Sequence, residues 1–280
     1  MKRIRIGEIR NSLLFDDELF RTIRRIKIFG YGINGAFLFA GGNSVTYKVE
    51  IDGKIYAMKC YTTLDPSRQE IHKVVSTLNA PILITPHYFV DELWVKDCYT
   101  DVTLYPWIEG VTLTHAMRGA VHNKRADRLT ELFEEFVRLA LQLHNSEWRH
   151  GDLKTDNIIV CCDGSMMLID CDMLIHSALP QRAVKGTPRY IHPQRPDVAD
   201  IHADDYPTAC IATSLAALAA DLSLLTGEPV VSLPSEGKYD TIRQLLSHNS
   251  ALIALLDAIH SPDYKIDNIT TLLKQCTTHP

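Results

Sequence analysis

Several things are missing from this 280-residue chain, and each absence removes a class of protein. There is no C-x-x-C pair, and the seven cysteines are odd in number. That argues against a disulfide framework and against a zinc site, and leaves reduced thiols in a cytoplasmic chain as the expectation. No internal repeat and no low-complexity tract is present. The basic segment Met1–Ser12 is not followed by an apolar core, so a secretory leader is not expected. The most apolar stretch, Cys210 to Leu225, is broken by Thr213, Ser214, Asp221 and Ser223, short of the ~20 apolar residues a membrane span needs. It reads as a buried helix. Large net charge is also missing: 29 Lys and Arg against 34 Asp and Glu leave −5. A mildly acidic chain is a poor general binder of nucleic acid or of anionic membrane, and neither is expected as a partner.

What is present changes character along the chain. Up to about Leu104, short β-like runs alternate with Gly and Asn: Ala36–Ala40, Thr46–Ile51, Lys54–Tyr61 and Val102–Leu104. Asp52-Gly53 signals a hairpin turn. One helix interrupts the runs. Asp65 caps it, Pro66 suits its first turn, and Ile71, Val74, Val75 and Leu78 recur at helical spacing. An earlier, weaker helical pattern covers Asp16 to Arg25. After Gly110 the pattern is mostly helical, with a long stripe at Leu129, Leu132, Phe133, Phe136, Val137, Ala140 and Leu143, and further helices over 206–224, 239–247, 250–260 and 267–275. Two β-like runs, Ile158–Cys161 and Met166–Ile169, flank Asp163-Gly164. The expected fold class is α+β, with a small β-rich part before a larger helical one. The boundaries read as an N-terminal extension over 1–35, a β-rich lobe over 36–105, a joint over 106–110 and a helical lobe over 111–280.

The chemistry concentrates in His150-Gly151-Asp152-Leu153-Lys154-Thr155-Asp156-Asn157, followed by Ile169-Asp170-Cys171-Asp172. This resembles the protein kinase signature H-R-D-L-x-x-x-N and then D-F-G. The resemblance implies a bilobal kinase-like fold and a Ser/Thr protein kinase using ATP and Mg²⁺, with a protein hydroxyl as acceptor. Asp152 would orient the attacking hydroxyl, Lys154 would hold the γ-phosphate, and Asn157 and Asp170 would supply hard oxygens to Mg²⁺. Tyr56-Ala57-Met58-Lys59 is similar to V-A-I-K. Ala57 would pack on adenine and Lys59 would contact the phosphates, with Glu70 of the following helix as its expected partner. Phe39-Ala40-Gly41-Gly42-Asn43-Ser44 resembles a thinned glycine loop, in which Gly41, Gly42 and Ser44 would approach phosphate. Thr103 to Gly110 resembles the hinge. There Tyr105 would be the gatekeeper, Pro106 would offer its C=O to adenine and Ile108 its N–H. Gly186-Thr187-Pro188-Arg189-Tyr190 resembles the end of an activation segment, where Thr187 would bond the catalytic Asp and Lys. Asp204 resembles the carboxylate that braces the catalytic loop.

The chain departs from the pattern at Gly151 (an Arg in the signature), Cys171-Asp172 (Phe-Gly), Gln194 (a Glu) and the thin glycine loop. Two other readings stay open on these residues. One is a nucleotide-binding pseudokinase. The other is a small-molecule kinase of the aminoglycoside type, which H-G-D-L and I-D-x-D also resemble.

Overall fold

In the computed structural model, which describes residues 3–15, 18–29, 39–225 and 238–277, the chain divides into two units. The first takes 1–79 and 84–108, the second 80–83 and 109–280. Both mix helices with antiparallel strands.

The first unit is built on the hairpin its alternation predicts. Its elements are α1 (Ile6–Ser12), β1 (Ile26–Ile28), β2 (Phe39–Ala40), β3 (Ser44–Ile51), β4 (Lys54–Tyr61), α2 (Ser67–Val75), β5 (His87–Val95) and β6 (Cys98–Pro106). The strands pair antiparallel in the order β1-β3-β4-β6-β5, with β2 beside β3. Asp52 and Gly53 turn the β3–β4 hairpin with φ of 50° and 76°. Two consecutive positive φ values match the right-handed twist of the strands they join.

One face of this sheet carries Val45, Tyr47, Val49, Met58, Cys60, Val102 and Leu104. They are buried with Ile4, Ile9, Leu13, Phe20, Ile23 and Ile26. The stretch expected to be an extension over 1–35 therefore closes the core of the first unit, as far as it is described. The helix expected over 16–25 is not there over 18–25; Asp16 and Asp17 lie outside the described residues. Those residues lie along β5 instead. Trp94 N–H donates to Leu19 O at 2.9 Å and Arg21 N–H to Glu92 O at 2.8 Å. The buried Glu92 carboxylate accepts from Thr22 N, Ile23 N and Thr22 Oγ1, each at 2.7 Å. A strand edge and a buried carboxylate both need donors, and this segment supplies them better as extended chain than as helix. Of the run Ala36–Ala40, positions 36–38 lie outside the described residues and Phe39–Ala40 forms β2.

The second unit holds β7 (Gly110–Thr112), α3 (Leu113–His122), α4 (Ala126–His144), β8 (Trp148–Arg149), β9 (Ile158–Cys161), β10 (Met166–Leu168), β11 (Ile175–His176), α5 (Asp205–Ala220), α6 (Tyr239–Leu245), α7 (Ser250–Ile259) and α8 (Ile269–Cys276). The stripe from Leu129 to Leu143 is buried along α4. The apolar stretch after Cys210 is the buried α5, which ends at Ala220; a single 3₁₀ turn, Leu222–Leu224, follows. Residues 80–83 join this unit by pairing with β10: Leu168 N–H donates to Ile82 O at 2.6 Å. Among the described residues no helix is long and apolar enough to cross a membrane.

Candidate functional site

In the second unit, the turn after β8 is held by Asp204, the residue before α5. Its carboxylate is fully buried and accepts from His150 N (2.6 Å) and Gly151 N (3.0 Å). Burial raises the pKa of this carboxyl, while the charge near His150 and the two N–H bonds oppose that shift. Gly151 has φ +79°, and a Cβ there would sit 2.1 Å from the Met173 carbonyl oxygen. The backbone after Asp170 fills the space a side chain at 151 would need, so only glycine fits. His150 bonds Ile169 O through Nε2 (2.8 Å) and accepts from Asp152 N at Nδ1 (3.3 Å). That pattern assigns the proton to Nε2.

This frame presents three side chains to one another. Asp152 Oδ1 accepts from Thr187 N (2.6 Å) and Oδ2 from Lys154 Nζ (2.9 Å), while Lys154 Nζ also donates to Thr187 Oγ1 (2.9 Å). Asn157 is buried and gives its amide N–H to Asp152 O at 2.9 Å. The β9–β10 register, Ile158 opposite Leu168, brings the residues just beyond both strands together. Ile169 N–H donates to Asn157 O at 3.0 Å, so Asp170, next in the chain, is carried to the same end of the hairpin. Asp170 itself has φ 65°, in the left-handed region that Asp tolerates better than most residues.

Sequence reasoning missed the supports of this frame. Thr155 Oγ1 bonds Tyr190 OH and accepts from Thr114 Oγ1, both at 2.7 Å. Burial pushes the Tyr190 hydroxyl up to about 12. Arg149 is buried and donates to the carbonyls of Leu143, His144, Ser146, Trp148 and Ile201. The stretch before Gly186 is tied by two arginines. Arg182 reaches the carbonyls of Asp172 and Leu174, and Arg195 donates to Val184 O at 2.6 Å. Gln194 is exposed. Below Asp204, Asp205 accepts from Ile266 N (3.0 Å) and faces His202 (2.8 Å) and the buried His144 (3.6 Å). Burial raises Asp205 to about 6 and lowers His144 to about 3. These partners come from positions scattered over 61 residues (205 to 266) and 61 residues (144 to 205), which no local pattern links.

In the first unit, alternation along β4 places Ala57, Lys59 and Tyr61 on the face opposite the core residues Met58 and Cys60. Lys59 is only 7% exposed and its Nζ lies 5.2 Å from the Tyr61 ring centroid. The ring is fixed in turn, its hydroxyl bonding Thr103 Oγ1 at 2.9 Å. Ser44 pairs with Tyr61 across the hairpin, and the turn from Gly41 to Ser44 closes with Gly41 N–H on Ser44 O at 2.9 Å. Arg3 donates to Gly42 O at 2.9 Å. Tyr105 is buried opposite Ala57, Pro106 ends β6 opposite Tyr56, and Ile108 is half-buried.

Glu70 is the correction. It does not pair with Lys59. Its carboxylate holds Lys73 at 2.9 Å, with 59% of its side chain exposed. The buried positions of α2 are Arg68, Ile71, His72 and Val75. This phase of the helix turns Glu70 outward and Arg68 inward. The signal was in the sequence, because 68, 71, 72 and 75 also follow helical spacing, but a purely apolar count skips the Arg and the His.

Among the described residues no group of three or more His, Cys, Asp or Glu side chains could hold a metal ion. Asn157 and Asp170 together offer an amide oxygen and a carboxylate, a donor set suited to Mg²⁺ that shares its shell with water and phosphate oxygens. Compared with models of protein families the chain matches none, and no curated protein matches it.

Proposed function

We propose that this chain is a Mg-ATP-dependent phosphotransferase that acts on a protein Ser or Thr hydroxyl, with the bilobal fold of protein kinases. The observation that carries the reading is the bonded triangle of Asp152, Lys154 and Thr187, in which one carboxylate is fixed by a backbone N–H and a lysine at 2.6 and 2.9 Å. Thr187 belongs to the Gly186–Tyr190 stretch, which supports a protein acceptor over a small molecule.

In this reading the acceptor oxygen forms a bond to the γ-phosphorus while the bond to the β–γ bridging oxygen breaks and ADP leaves. Asp152 orients the hydroxyl and takes its proton. Lys154 offsets the charge that develops on the γ-phosphate oxygens, and needs no reorganisation because Thr187 already holds it. Asn157 and Asp170 would hold Mg²⁺, which would supply further neutralisation of phosphate charge. On the first unit, Lys59 and the Gly41–Ser44 turn would contact phosphate and Ala57 would pack on adenine.

The test is transfer of label from γ-labelled ATP to a generic protein acceptor, with Asp152→Asn and Asp170→Asn as controls. Label on Ser or Thr that both substitutions abolish is the expected result. Nucleotide binding without transfer would replace this reading with the pseudokinase one. Label on a small-molecule acceptor alone would replace it with the aminoglycoside type.

A further inference from the structure

Arg68 and Arg149 are both buried guanidinium groups, and they are satisfied very differently. Arg149 spends its N–H groups on the carbonyls of five residues. Arg68, 5% exposed, makes two hydrogen bonds, both to one residue: Nη1 to Thr63 O at 2.7 Å and Nη2 to Thr63 Oγ1 at 3.0 Å. A guanidinium has five N–H donors. Its Cζ lies over the Tyr61 ring, 3.9 Å from the centroid. Among the described residues no carboxylate pairs with it. Asp101, buried on β6, is taken by Tyr88 OH and Asp91 N. Glu70 is taken by Lys73, and Asp65 by Ser67. A buried cation whose neighbours are a hydroxyl, a carbonyl and a ring remains short of negative charge.

Its surroundings suit an anion. Lys59 reaches over the same Tyr61 ring. Thr62, between Tyr61 and the Thr63 that Arg68 holds, donates its N–H to Asn43 O at 2.8 Å, so the Gly41–Ser44 turn adjoins the same end of β4. We infer that Arg68, together with Lys59, forms an anion subsite on the first unit that takes a phosphate group of a nucleotide. This rests on the proposed function for the identity of the nucleotide. The planar fork supplies the paired, directed N–H groups that suit phosphate oxygens. The subsite puts a cation on the helix face where a carboxylate partner for Lys59 was expected.

The experiment is calorimetric titration with ATP, adenosine and inorganic tripolyphosphate, on wild type, Arg68→Met and Arg68→Lys. Loss of a charge-assisted bond predicts at least about tenfold weaker ATP and tripolyphosphate binding for Arg68→Met, with adenosine unchanged and Arg68→Lys intermediate. Equal weakening of adenosine would mean that Arg68 only props the sheet, and would overturn the inference; so would unchanged tripolyphosphate affinity. To separate loss of folding from loss of a ligand contact, the wild-type Arg68 Nε–H resonance is followed during tripolyphosphate addition, assigned by its loss in Arg68→Lys. A resonance that moves and saturates supports the subsite, and one that stays still overturns it. Tripolyphosphate binding without phosphoryl transfer would keep the subsite and remove the proposed function. Transfer with phosphate affinity insensitive to Arg68 would do the reverse.

Discussion

The two units hold their candidate residues by different means. In the second, hydrogen bonds between polar groups fix the frame: Asp204 grips the backbone at 150–151, and Asp152, Lys154 and Thr187 grip one another. In the first, strand register sets Ala57, Lys59 and Tyr61 on the face opposite the apolar core, and the Tyr61 hydroxyl bonds Thr103. Polar cross-bracing leaves the orientation of a site sensitive to single bonds. Register leaves it sensitive to the fold of the sheet and tolerant of changes at its rim.

The largest effect is expected at Gly151. Gly151→Ala forces a Cβ to within 2.1 Å of Met173 O at a φ of +79°, and should cost about 3 kcal/mol or more, read as a lower urea midpoint. A loss below about 0.5 kcal/mol would mean that the turn is not braced by this packing.

The next effect is in pH. His144, at about 3 in the fold against 6.5, makes stability rise with pH between those values, because the unfolded chain carries the extra proton. Asp205, at about 6 against 3.8, makes stability fall over its own interval, because the folded chain carries the proton. The two slopes oppose each other from about pH 4 to 6. His144→Gln should therefore leave a fall of about 2 kcal/mol across that window, and Asp205→Asn a rise of similar size continuing to about 6.5. Urea melts at pH 4, 5, 6 and 7 read both, and matching flat profiles for the two variants would refute the opposition.

Thr187→Ala sharpens the comparison from the side of activity. It removes the hydroxyl that receives Lys154 but keeps the backbone N–H on Asp152. Transfer should slow by about tenfold or more, with stability changed by about 1 kcal/mol or less, and Thr187→Ser should restore most of the rate. Equal losses in rate and stability would point to a structural hydroxyl.

The smallest effect is expected in the first unit. Glu70→Gln breaks only an exposed pair with Lys73, so stability should move by less than about 0.5 kcal/mol and nucleotide affinity not at all. A large loss of affinity would bring Glu70 back as a partner of Lys59.

What could be read in advance was what short-range periodicity encodes. The β3–β4 hairpin with its Asp52-Gly53 turn, the stripe along α4, and the β9–β10 pair each depend on residues within a few positions of one another. The order from His150 to Asn157 was legible by another route, its resemblance to the signature H-R-D-L-x-x-x-N. Residues 18–25 were misread because their helical spacing competes with the open edge of β5, and the edge lies some 70 positions away, at Glu92. Glu70 was misread because apolar spacing marks a helix but does not say how a sheet with polar groups on its covered face will rotate it.

The sequence alone thus determined most of the local elements, because these follow from steric and hydrogen-bonding preferences along the chain, while the set Asp152, Lys154, Asn157 and Asp170 was legible through its resemblance to a known signature. Only the tertiary structure decided that Arg68 turns inward where Glu70 was expected, and that His144 is buried against Asp205. Each of those depends on which charges and donors are shut away from water together, and burial of that kind exists only once distant segments have packed.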